Sequence, residues 1–375
     1  MKPLAPILTP QFNIGATWDL DQIEGIKALN EDPSSKGKVT SVYGSLSGFN
    51  TARSQDRIPD IPMSDAHKYI DAAREIGVGT RWTMNQSCVG TLEDLKSTIR
   101  LTNDLIGWLK GIDCHEYVVT IPLIAEIILD KDPDAKIEVS TINHITSMQE
   151  IDQWAKLGVK GICWDVFQNR NLTFLYRALR HIEKSDFYIE LITNELCTFM
   201  CHHRSICYNL SSHSSTRDLY GGYPFSRCIA ARSGEPWRWV STRFILPSCI
   251  PMYQHLGLFL GRAEDLGINR FKITGRTHTT DTILRILTYY MFQQDPPNLL
   301  DLWPHINKLV DDQHNPSTDV NIPTTRLNLH GRMHRLLRVG AYCTHHICGV
   351  TCKECITTYN AIQNELTFMK KEEQA

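Results

Sequence analysis

The sequence predicts an α/β fold, a (β/α)8 TIM-like barrel with a Cys/His-rich insertion after its sixth strand and a small C-terminal cysteine-rich extension. Three observations point there. Short β-branched or aromatic runs alternate with amphipathic stretches from about residue 38 to residue 292, and the connections between them are short. The first run leads into GSLSGFNTAR, which lacks the G-x-G-x-x-G spacing of a doubly wound dinucleotide fold. In order, the predicted strands are Val39–Ser45, Val78–Met84, Glu116–Thr120, Ile137–Thr141, Val159–Trp164, Tyr188–Thr193, Trp239–Leu246 and Phe271–Thr274. Between them, Ser64–Glu75, Leu92–Leu109, Ser147–Leu157 and Leu172–Glu183 repeat apolar residues at helical spacing. Ser64 and Thr91 suit N-caps, and Gly77, Gly158 and Gly267 suit helix ends. The chain therefore divides into an N-terminal segment (1–37), the barrel (38–293) and an extension (294–375) with Pro-rich joints and a cysteine-rich metal-binding run.

Composition narrows the function classes. The 375 residues carry 39 Lys+Arg against 41 Asp+Glu, a net charge of -2, which excludes a dedicated basic nucleic-acid binder and a highly charged disordered chain. At 42% hydrophobic the chain can fill a core. The N-terminus lacks the apolar run of a signal peptide and no stretch of eighteen apolar residues occurs, so the expectation is a soluble, cytoplasmic protein with no membrane partner. The oligomeric state is left open.

Cysteine is the unusual residue. The chain has 12, of which Cys88, Cys114 and Cys163 are scattered and nine fall in two clusters, and in a reducing compartment clustered thiols read first as metal ligands. Cys197, Cys201 and Cys207 follow a predicted strand, Cys228 lies across the insertion, and Cys249 follows the seventh run in ILPSC. Consecutive strand ends are neighbours on one barrel rim, so these thiols can converge. Four thiolates suit zinc or an iron–sulfur cluster, and the wide spacing favours a cluster over the tight pairs of a zinc knuckle. The plainer alternative is a set of buried thiols. The terminal run CTHHICGVTCKEC offers Cys343, Cys348, Cys352 and Cys355 with His345 and His346, a set that zinc or a second cluster would accept.

Asn85, Asp165, Asn194, Glu195, Lys272 and Arg276 fall at predicted strand ends, where barrel chemistry happens. Lys272 and Arg276, in FKITGR, would give a positive pocket for a carboxylate or phosphate, with Arg53 and Arg243 as further candidates. Strand-end salt bridges are the competing explanation. Arg332, Arg335 and Arg338 share one helical face, usually a solvated or anion-facing surface and only sometimes an RNA contact. G-x-S-x-G, H-E-x-x-H and P-loop motifs are absent.

NELCTFMCHHRSICYNLSSH resembles the signature of the U32 peptidase family, whose hydroxylase-like branch reads roughly N-E-x-C-x3-C-P-x-R-x2-H-Y-N. The resemblance extends to SVYGSLSGF, WTMNQSC, KIEVST, GVKGICWDVFQNRN, FILPS and GINRFKITGRT, almost the whole barrel. It implies a cysteine-bound 4Fe-4S cluster and an oxygen-independent hydroxylase of an organic or RNA substrate with a prephenate-like oxygen donor. By motif position it assigns Cys197, Cys201, Cys228 and Cys249 to the cluster, with Cys207 as a rival to Cys201. Lys272 and Arg276 become contacts for an anionic cosubstrate, Glu195 a proton-transfer group, and an electron donor or other partner protein is implied.

The chain departs from the pattern at His202, where the branch has proline, at Cys207, where it has histidine, and at Thr358, where a fourth terminal cysteine is usual. The alternatives are peptide hydrolysis, with Cys207 and His202 or His203 as a nucleophile–base pair, and a non-catalytic binding protein stapled by metal. Small molecules, peptides and RNA are the substrate classes in view.

Overall fold

The computed structural model describes residues 9–49, 51–53, 58–195, 197, 199–215, 242–297, 299–303, 353, 355–357 and 360. Its strands are β1 (Gln11–Gly15), β2 (Lys38–Gly44), β3 (Gly79–Met84), β4 (Glu116–Val119), β5 (Lys136–Val139), β6 (Gly161–Cys163), β7 (Tyr188–Ile192) and β8 (Arg270–Ile273). They close in that order into a parallel barrel, β8 returning to β1 through Gln11↔Arg270 and Ile14↔Ile273. The helices of ten or more residues are α1 (Leu20–Glu31), α2 (Met63–Glu75), α3 (Leu92–Gly111), α4 (Pro122–Lys131), α5 (Met148–Leu157), α6 (Leu172–Ile182), α7 (Arg204–His213) and α8 (Thr280–Phe292), and two shorter ones span Ile250–Gln254 and Leu256–Phe259. None of the helices among the described residues is long and apolar enough to cross a membrane.

Two strand expectations are corrected. The barrel begins at Gln11, inside the segment expected to precede it, because QFNIG pairs with both β2 and β8. The run expected at Trp239–Leu246 forms no strand in its described part, 242–246. The slot beside β7 is taken by β8, through Leu191↔Phe271 and Ile192↔Lys272. Ile245 only donates its N–H to Thr193 O, beyond the end of the sheet, at 2.7 Å. The Cys/His-rich insertion thus follows the seventh strand of the barrel.

Local chemistry explains the helix ends. Thr91 forms the expected cap of α3, as a capping box with Asp94, and Ser147 does the same for α5 with Glu150. Gly158 ends α5 in the left-handed region at φ 101°. Ser64 is not a cap, since α2 begins at Met63 after Pro62, and Gly267 lies in the loop before β8, not at a helix end.

The main apolar core lies between strands and helices. Phe12, Ile14, Trp82, Val119, Ile137, Ile162, Leu191 and Phe271 are buried there, on the outward-facing positions of their strands. Trp82 meets Trp108 of α3 edge-on at 5.4 Å and Trp18 at 5.6 Å.

At the N-terminal face, His115 precedes β4 and its Nδ1 lies 2.9 Å from Asp132, which also accepts from the Tyr117 hydroxyl at 2.8 Å. Burial opposes the charged imidazole, but Asp132 and Asp113 outweigh it and hold His115 above its usual value. A raised histidine stabilises the fold below its unfolded value, and that contribution is lost as pH rises through the folded one. His115→Gln is therefore expected to lose about 1 kcal/mol at pH 5.5 and to approach the wild type at pH 9. Urea unfolding at both pH values checks this, and an equal loss at both would contradict it.

Candidate active site at the barrel mouth

Alternation along each strand turns every second residue inward. The middle layer of the barrel is consequently ionic. Arg81 of β3 donates through Nη1 to Glu138 of β5 at 2.7 Å and to Glu190 of β7 at 2.8 Å. Lys272 of β8 lies 3.4 Å from Glu138 and 3.6 Å from Glu190. Asn13 of β1 donates to both Glu190 oxygens, and the Tyr188 hydroxyl donates to Glu138. All four charged groups are buried. The two acids diverge: burial and the nearby Glu190 charge push Glu138 up, while Arg81 and Lys272 overcome burial at Glu190 and hold it down. Cys163 of β6 sits with these acids, its thiol pushed up by burial.

This layer supports the rim. Lys272 Nζ lies 4.2 Å from the centroid of the Tyr43 ring, and the Arg276 guanidinium carbon lies 5.5 Å from it. Lys272, expected to hold a carboxylate of a ligand, is thus committed to two carboxylates of the barrel. Arg276 reaches the mouth, donating to Thr83 Oγ1 at 2.7 Å. It has no carboxylate partner among the described residues. Burial and the neighbouring Arg53 guanidinium pull it down to about 10, and burial with Arg53 and Arg285 pulls His278 down to about 4. Gly15, at the end of β1, makes room for this arrangement, since a Cβ there would stand 2.7 Å from the Arg276 backbone nitrogen.

Helix α7 belongs to the same face. Arg204 in its first turn donates to both Asp165 oxygens at 2.8 and 2.9 Å and stacks over Phe167 at 4.1 Å. Toward its other end, Ser212 accepts from the Ser87 N–H at 2.9 Å, beyond β3, and Ser215 Oγ accepts from Thr51 N–H at 3.4 Å. The helix therefore bridges the loops after β6 and β3. Asn85 accepts from Thr51 Oγ1 at 2.9 Å and donates to Ser140 at 3.3 Å. Asn194 ties Thr274 to the Trp303 indole, which donates to Asn194 O at 2.7 Å. Arg243 stacks on Phe199, its guanidinium carbon 3.6 Å from the ring centroid.

The sequence-predicted thiols are placed as follows. Cys197 and Cys201 are partly exposed in the segment between β7 and α7, and the Cys197 N–H donates to Glu195 Oε1 at 3.1 Å. Cys197 is within electrostatic reach of Arg204 and Tyr208. Cys207 lies in α7. Cys249 is buried in the turn Pro247–Cys249, and burial and Asp295 push its thiol up to about 12. Among the described residues no three of these sulfurs stand within 4.8 Å of one another, the compactness a single zinc ion requires. Cys228, Cys343, Cys348 and Cys352 lie outside the described residues, as do Arg332, Arg335 and Arg338, while Cys355 packs against the core.

Residues missed by sequence reasoning are Asn13, Tyr43, Arg81, Glu138, Glu190 and Arg204. The first five occupy alternate positions of short strands, and that alternation was the available signal.

No family model matches the chain. The chain is 23% identical over 242 residues to a protein described as an uncharacterized protease, MJ1657 of Methanocaldococcus jannaschii, covering 64% of this chain and 68% of that one. Among solved structures, the U32 peptidase Mk0906 aligns at 14% identity and a TM-score of 0.48, covering 73% of this chain and 96% of that one. The D-psicose 3-epimerase of Clostridium cellulolyticum H10 aligns at 11% identity and a TM-score of 0.33, covering 58% and 98%. In its N-E-x-C-x3-C and FKITGR motifs the chain resembles the U32 peptidase family, and over 242 residues it is similar to the described protease of Methanocaldococcus.

Proposed function

We propose that this chain is an iron–sulfur-dependent enzyme of the U32 family that carries out an oxygen-independent hydroxylation or related oxidative modification. Its substrate is an organic molecule or RNA, and its oxygen donor is an anion of the prephenate type. The observation that carries the reading is Arg276 at the mouth: it donates to Thr83 Oγ1 at 2.7 Å and has no carboxylate partner among the described residues. Such a guanidinium is complementary to an anion, which would take bidentate hydrogen bonds from it.

The donor chemistry fits a 4Fe-4S cluster. Cys197, Cys201 and Cys249 lie on the segments that follow β7, and Cys228 completes the set by motif position. When bound, the cluster supplies electrons or Lewis acidity. Cys249 must give up a proton held by burial and Asp295, so loading should release protons and favour higher pH. Glu195 fixes the turn at Cys197, Arg204 compensates nearby negative charge, and Arg276 orients the anion over Tyr43. The terminal cysteines hold a second cluster or a zinc.

Anaerobic purification, followed by iron, zinc and acid-labile sulfide analysis and a visible spectrum before and after dithionite, tests the reading. About four irons and four sulfides with a band that bleaches on reduction support it. About eight of each place a second cluster on the terminal run. Zinc alone with a featureless spectrum overturns it in favour of hydrolysis or a structural metal.

A further inference from the structure

Five histidine–carboxylate pairings stand among the described residues: His67–Asp71, His115 with Asp113 and Asp132, His144–Asp165, His181–Asp152 and His255–Asp265. His67 and His181 lie in the outer helices α2 and α6, His115 precedes β4, and His255 joins the short helical segments Ile250–Gln254 and Leu256–Phe259. Only His144–Asp165 is on the C-terminal face. His144 follows β5 through the turn Thr141–Asn143, and Asp165 follows β6 by two residues.

This pair is also constructed differently from a surface ion pair. Asp165 is 3% exposed and accepts from Arg204 Nη1 through both oxygens and from the Phe167 N–H at 2.8 Å. His144 Nδ1 lies 3.4 Å from the Asp165 Oδ2 atom. The imidazole packs on Tyr208 of α7, ring centroids 5.8 Å apart. The backbone at residue 144 is left-handed, at φ 59° and ψ 39°, and its N–H donates to Thr141 O at 3.2 Å. The side chain is 32% exposed, and Nε2 makes no hydrogen bond to the described residues. An imidazole with one nitrogen 3.4 Å from a carboxylate that a guanidinium and a backbone N–H fix in place is the layout from which an oriented acid–base is built.

We infer that His144 is a proton-transfer residue of the mouth, oriented by Asp165, for a polar substrate that exposes an O–H or N–H bond beside α7. This rests on the mouth being the active site and is independent of the cluster assignment. The proton of the substrate X–H bond passes to Nε2 while the electron pair stays on X. The imidazolium is compensated by Asp165, and the proton then returns to the leaving atom or to water. Asp165, Arg204 and Tyr208 are the titratable or charged groups that face the ring.

The test uses the full chain and p-nitrophenyl acetate as probe. With Nε2 as base, water oxygen bonds to the acyl carbon, the ester C–O bond breaks, p-nitrophenolate leaves and the water proton reaches solvent through the ring. His144→Asn, which tolerates the left-handed backbone, should lower the wild-type rate at least about tenfold. Asp165→Asn should lower it several-fold, and His181→Asn should leave it unchanged. His144→Asn should keep the iron and sulfide content of the wild type, so a failed cluster assignment is seen separately. A His144→Asn rate equal to that of the wild type overturns the inference. Ring nitrogen NMR of the wild type, which requires no variant to fold, should show the Nδ1-protonated tautomer in the neutral ring, and the Nε2-protonated one overturns it as well.

Discussion

Arg81→Met is expected to destabilise the protein by about 3–5 kcal/mol, lowering the melting temperature on the order of ten degrees. The substitution keeps volume but removes the guanidinium that bonds Glu138 at 2.7 Å and Glu190 at 2.8 Å. Lys272 alone then faces two buried carboxylates, at 3.4 and 3.6 Å. Water cannot reach them, so the lost interaction is not replaced, and the penalty is that of charges left in a low-dielectric site. Acidification neutralises the acids, so the gap between variant and wild type should narrow toward pH 4. Thermal unfolding from pH 4 to pH 8 measures this, and a variant melting within a degree or two of wild type at neutral pH would refute the tetrad's structural role.

The second large effect concerns the anion pocket. Arg276→Met should leave the ligand-free protein as stable as wild type or more so, because it removes a guanidinium that Arg53 repels. It should also weaken binding of malonate, a simple dicarboxylate, by about ten- to a hundredfold, the loss expected for charge-assisted hydrogen bonds. Malonate should raise the melting temperature of the wild type and leave that of the variant nearly unchanged. The same malonate-induced shift in both proteins would remove Arg276 from the site.

The barrel was legible because seven of its eight strands are apolar runs separated by helical periodicity or by turns. QFNIG was not, because Gln11, Asn13 and Gly15 occupy its inward positions and a five-residue strand with polar alternate residues looks like a loop. VSTRFILP misled in the opposite direction: its apolar content reflects burial of Phe244, Ile245 and Leu246 above β7, in irregular backbone. At the site, Arg276 and Asp165 were in view as strand-end candidates. The ionic layer was not, because each strand contributes only one charged residue to it, in GTRWTM, KIEV, YIELI and RFKI, and the pairing exists only after closure. Lys272 shows the same limit, since nothing local tells a ligand-binding ammonium from one neutralised by residues far away in sequence.

The seam between β1 and β8 has a consequence for synthesis in the cell. Gln11 pairs with Lys38 on one side and Arg270 on the other, so one edge of β1 has no partner until nearly the whole barrel has been translated. At ribosomal speeds that interval is on the order of ten to fifty seconds. Over it the nascent chain is an open sheet whose growing edge is available to other chains, and Glu138 and Glu190 are made before Lys272, their second cation, exists. The strand translated last therefore completes both the sheet and its charge balance, which makes this chain one whose yield should respond to translation rate and to chaperones that shield open strand edges.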